Sequence, residues 1–187
     1  MPARVAPASP PFAPEIEERL HSIMPKGVPP LALFTTLARD RRLFERFTAG
    51  GLVDRGHLTL RQREIVVDRV TAQCGSEYEW GVHIAFFGEK VGFTGEQRVS
   101  LVHGGATDPC WSHEEGLLIR LCDELNRSCD VDDALWSELK ACFDDEALME
   151  LLLLAGFYRM VSYLTNALRL PLEAFATRFP PAARTGR

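Results

Sequence analysis

The sequence predicts an all-α protein, a single-domain helical bundle. Three observations carry that reading. Four S/T-x-x-E/Q signatures, opening at Thr59, Ser76, Thr94 and Ser112, each precede a run with helical apolar spacing. No run alternates apolar and polar residues as a half-buried strand does. A long, nearly all-apolar segment, residues 144–168, stops just short of Pro171.

At 187 residues the chain suits one domain. Residues 1–13, rich in Pro and Ala, read as a flexible or extended arm. Residues 14–172 hold the helical domain. Residues 173–187 form a tail that frays at Pro180-Pro181.

Within the domain, residues 14–24 make a short amphipathic helix with Pro at its start. Residues 25–30, rich in Pro and Gly, break the chain. Residues 31–49 form one helix or two short ones, interrupted near Asp40, and Gly50-Gly51 ends them. Thr59 caps the next helix, which Gly75 closes. Ser76 caps its successor, with Glu79 reaching back to complete the box, and Gly92 ends it. Thr94 opens a short helix that stops at His103-Gly104-Gly105. Ser112 opens another, and Asp130 or Asp132 starts the one after it. The last helix is apolar all round, which means burial on most sides, in the core or between subunits.

Composition narrows the function. The chain is 46% hydrophobic and 25% charged, enough to build a core. A net charge of -5 argues against a general nucleic-acid binder, and no basic run suits a membrane surface. The start of the chain lacks a signal-peptide apolar region, and residues 147–154 are too short and carry Glu150, so no membrane span is expected and cytoplasmic location follows. The five cysteines show no C-x-x-C pair, which argues against a disulfide framework, a zinc knuckle or a redox dithiol.

Chemistry concentrates in residues 61–92, where Glu64, Ser76, Glu79 and His83 lie among apolar residues. Glu79 and His83 are four residues apart, hence on one helix face. A carboxylate and an imidazole on an apolar face suggest a use. The plainer alternatives are a capping box for Ser76 and Glu79, a core histidine at His83 bonded to a backbone carbonyl, and a solvated Glu64 paired with Arg61 or Arg63.

This stretch, with Arg61-Gln62-Arg63-Glu64, then residues 75–80 (GSEYEW), then His83, resembles the carboxymuconolactone decarboxylase family, whose wider group includes the alkylhydroperoxidase D-like proteins. Residues 152–168 resemble that family's final helix. The resemblance implies an all-α subunit assembling as trimers or hexamers. In the peroxidase branch it implies a glutamate, a Cys-x-x-Cys and a histidine four residues later. Here those positions hold Glu64, then Ser76 and Glu79 in place of both cysteines, then His83. A hydroxyl and a carboxylate cannot cycle between dithiol and disulfide, and Cys74 has no partner at workable spacing.

In the decarboxylase branch the resemblance implies cofactor-independent loss of carbon dioxide from a small carboxylated lactone. Such a reaction needs donors for a developing enolate oxygen and an acid that protonates carbon. His83 is the candidate acid, with Glu64 orienting it and Glu79 joining from one turn away. Ser76, Tyr78 and Trp80, at a helix start rich in free N–H groups, are the candidate substrate-binding residues. A second reading has Glu64, Glu79 and His83 ligating a divalent metal. A third is a non-catalytic helical oligomer that binds an aromatic or lactone ligand.

Overall fold

The computed structural model describes residues 2–182. Those residues form nine helices and no strand: α1 Pro14–Ile23, α2 Ala32–Leu37, α3 Arg41–Ala49, α4 Leu60–Gln73, α5 Glu77–Phe87, α6 Gly95–His103, α7 His113–Ser128, α8 Asp133–Cys142 and α9 Asp145–Leu168. The boundary signals act as their chemistry dictates. Thr59, Thr94 and Ser112 each accept the N3 amide while Gln62, Gln97 and Glu115 reach back. Asp40, Asp132 and Asp144 cap α3, α8 and α9. Gly75, at φ +64, turns the chain between α4 and α5 in a conformation that costs glycine little.

α4 is the hub. It packs against α5, α6, α7 and α9. From Arg63 to Thr71 every residue is buried, so this helix has no solvated face. Its arginines are paired with carboxylates. Arg69 holds Asp123 at 2.7 Å and donates to the carbonyls of Leu101 and Gly104. Arg61 pairs with Glu115 at 2.6 Å.

α9 buries one face, with Leu148, Leu151, Leu154, Tyr158 and Val161 in the core. Its other face exposes Met149, Leu153, Met160 and Tyr163, so the expectation of burial on most sides does not hold within one subunit. By length and composition α9 could cross a membrane, but here it packs against α4, α5 and α8 as a core helix of the bundle.

The arm and the tail are both laid down on the domain. Arg4 N donates to Leu168 O, and Ala8 N to Thr35 O. Residues 173–179 pack against the domain, and residues 183–187 of the expected tail lie outside the described residues. Glu173 Oε1 accepts the Tyr78 hydroxyl at 2.5 Å and Ala32 N at 2.6 Å. Thr177 N donates to Gly81 O, Phe175 stacks on Phe86 and Phe179 on Trp80. Two phenylalanines and a carboxylate with two donors anchor what the Pro-rich composition suggested was loose.

Candidate active site

α4 and α5 meet through one polar contact. His83 Nδ1 lies 2.7 Å from Glu64 Oε2, and both side chains are buried. Glu64 Oε1 accepts Arg63 Nε at 2.9 Å and Nη2 at 2.8 Å. Arg63 also donates to Val53 O, tying the site to the loop after α3. The carboxylate is thus held on both oxygens. It accepts a hydrogen bond from His83 Nδ1–H and leaves Nε2 for the other side.

Nε2 faces Glu79 Oε1 at 3.4 Å. The other Glu79 oxygen is buried and has no partner. The expected capping box at Ser76 is absent. Ser76 Oγ bonds Thr165 Oγ1 at 2.8 Å, and Glu79 turns to His83 instead of back to the helix start. Tertiary packing wins because both faces of α5 are covered, by α4 and α9 and by the tail.

These charges set the protonation of the ring. Burial pulls the imidazolium down, but the Glu64 charge and hydrogen bond, followed by Glu79, outweigh it and push His83 up to about 10. His83 is therefore a cation at neutral pH. Tyr158 stands edge-on to it, with centroids 4.9 Å apart, and burial beside Glu79 and Glu64 keeps its hydroxyl protonated.

His83 and Glu79 lie on the wall of a cavity of about 240 Å³. Its other walls are largely apolar, including Leu33, Phe34, Phe47, Phe86, Phe87 and Phe157. Tyr158 lines it too, and Lys90 lines it with its ammonium 5.2 Å above the Phe87 ring. Glu64 stands behind His83, off the wall. The arrangement offers a charged imidazole and a carboxylate with an unpartnered oxygen beside an aromatic cavity, which suits proton transfer.

Of the residues read from sequence, the fold brings Glu64, Glu79 and His83 together. Ser76, Tyr78 and Trp80 lie off the cavity wall. Tyr78 is spent on Glu173 and on the Leu33 amide, and Trp80 packs against Phe179 in the core. Lys90 and Tyr158 also line the cavity, outside the sequence-predicted set, while Asp68 is buried on α4 off the cavity wall. Asp68 had a usable signal, since it follows Glu64 by four residues. The three-ligand metal reading does not fit this geometry, because His83 directs its two ring nitrogens at the two carboxylates. No group of three His, Cys, Asp or Glu side chains among the described residues is disposed to hold a metal ion. None of the five cysteines lines the cavity.

No protein-family model matches the chain, and no curated protein matches it in sequence. Solved structures do match its fold. An uncharacterized peroxidase-related protein from Silicibacter sp. TM1040 superposes with a TM-score of 0.80 at 16% identity, covering 96% of both chains. A second uncharacterized peroxidase-related protein, an alkylhydroperoxidase AhpD core from Ralstonia eutropha JMP134, gives 0.76 at 17% identity over 93% of this chain and 94% of that one. A cysteine-to-alanine form of the debrominase Bmp8, in complex with 2,3,4-tribromopyrrole, gives 0.75 at 13% identity over 94% of each. At these identities the likeness speaks for architecture: the chain has the alkylhydroperoxidase AhpD-like fold.

Proposed function

We propose that the protein is a cofactor-independent acid–base catalyst. Its reaction is decarboxylation, or a related proton-transfer lyase step, on a small planar acid of lactone or aromatic-derived type. The observation that carries this is the Glu64–His83–Glu79 chain, whose imidazole and Glu79 carboxylate lie on the wall of an aromatic cavity. In decarboxylation the bond to the carboxylate breaks and carbon dioxide leaves. The electron pair delocalises toward a ring carbonyl, whose oxygen is stabilised by the His83 Nε2–H. His83 then gives that proton to carbon. Lys90 is the cation placed to hold the substrate carboxylate at the cavity wall. Self-association through the exposed apolar face of α9 completes the reading.

The known fold relatives include a debrominase with a small aromatic heterocycle bound. A cavity of about 240 Å³ lined by phenylalanines accepts molecules of that size class, which supports the substrate shape. Thiol chemistry is not favoured here, because the cavity lining contains no cysteine. The alternative is ligand binding without turnover. Release of carbon dioxide from carboxymuconolactone decides between them. Turnover by the wild-type protein that disappears in His83→Ala supports catalysis. Tight binding with no release in either supports the binder.

A further inference from the structure

Asp68 is a buried acid to which the mechanism above gives no work. It is 1% exposed on α4, one turn after Glu64. Neither of its carboxyl oxygens has a hydrogen-bond partner. Leaving such a group unpaired in the interior costs free energy, so its presence asks for an explanation.

The register of the two central helices supplies one. α4 and α5 are joined by the tight turn at Gly75 and run back along each other, and Glu64 meets His83. Asp68 is four residues along α4 from Glu64. Glu79 is four residues back along α5 from His83. The register that pairs Glu64 with His83 therefore brings Asp68 level with Glu79, whose Oε2 is also buried and unpartnered. The titratable and charged groups acting on Asp68 are Glu64 on its own helix, Glu79 and His83 on α5, Arg98 on α6 and Tyr158 on α9. Burial, and next the Glu64 charge, raise its carboxyl well above the usual range, with His83 and Arg98 opposing.

The proposed reaction consumes one proton per cycle. Once His83 has given its Nε2 proton to carbon, the ring is neutral and faces largely apolar walls. We propose that Asp68 is the proton store that recharges His83, passing its carboxyl proton to Glu79, which hands a proton to His83 Nε2. Asp68 is left as a carboxylate and takes a proton from solvent before the next cycle, so protons and charge balance. Asp68 acts through Glu79 and is a positioning residue, and the inference rests on the acid–base reading of the site.

Infrared spectroscopy tests the store without any substrate. The wild-type protein at neutral pH is expected to show the C=O stretch of a protonated carboxyl. That band should vanish in Asp68→Asn and shift in Glu79→Gln. No such band, or a band indifferent to Glu79→Gln, overturns the proposal. Thermal melting checks the fold of the variant. Asp68→Asn should melt above the wild type at about pH 7 and approach it at about pH 3, where the unfolded chain's Asp also holds its proton. With carboxymuconolactone, the first turnover of Asp68→Asn should keep the wild-type rate, while the steady-state rate falls by about 10²-fold. A steady-state rate equal to wild type overturns the proposal. If the wild type itself releases no carbon dioxide, the decarboxylase reading fails on that substrate, and the infrared result alone decides the proton store.

Discussion

His83 Nδ1 and Glu64 Oε2 meet at 2.7 Å across the α4–α5 interface, and both side chains are buried. Taking a charge out of water is costly unless a partner replaces the hydration. Here the partners form a line: Arg63, Glu64, His83 and Glu79. Only His83 and Glu79, at one end of that line, lie on the cavity wall.

Glu64→Gln keeps the shape of the side chain and removes its charge. Turnover is expected to fall by about 10²-fold, because the ring loses the Nδ1 partner whose charge favours its cationic form. Stability is expected to drop by about 3–5 kcal/mol, because Arg63 and His83 lose their buried counter-charge. Steady-state rates and urea denaturation measure the two effects separately.

The raised His83 value makes stability depend on pH. A cationic group raised by folding stabilises fully below its unfolded value of about 6.5. That contribution is lost as pH rises through about 10. Asp68, also raised, begins its loss at lower pH, so the test is made in an Asp68→Asn background. Melting temperatures between those two pH values should fall with His83 present and stay flatter in His83→Ala.

The tail predicts its own pair of effects. Glu173→Ala leaves the Tyr78 hydroxyl and the Ala32 amide without their acceptor, and is expected to cost about 1–3 kcal/mol. Gly81→Ala would put a Cβ 2.2 Å from Thr177 O, so the tail must lift. Hydrogen exchange at the Thr177 amide should speed up in both variants, and melting should report the loss of stability.

Lys90 tests how the substrate acid is held. Lys90→Ala should raise KM for a carboxylate substrate about fivefold, the scale of one solvent-exposed ion pair, with kcat near wild type. Cys74→Ser should leave turnover unchanged, since Cys74 lies off the cavity.

The helices were legible because their ends are local chemistry. Thr59, Thr94 and Ser112 cap by contacts within one turn, and no distant residue competes for them. Ser76 carries the same signature and fails, because Thr165, 89 positions away, takes its hydroxyl and His83 takes Glu79. Glu64, Glu79 and His83 were legible as polar groups beside apolar runs. Lys90 reaches the cavity wall only through tertiary packing, whereas Tyr158, a polar group on the apolar last helix, was open to a pocket role from the sequence. The docked tail was hidden for the same reason: its anchors, Phe175 and Phe179, find their partners almost a hundred positions earlier.

Nuclear magnetic resonance of the ¹⁵N-labelled His83 ring, titrated from neutral to alkaline pH, reaches the central claim most directly. The expected result is a doubly protonated ring through about pH 8, with a strongly hydrogen-bonded Nδ1 proton that weakens in Glu64→Gln. A ring that titrates near pH 6.5, the ordinary histidine value of about that size, with no dependence on Glu64, would contradict it.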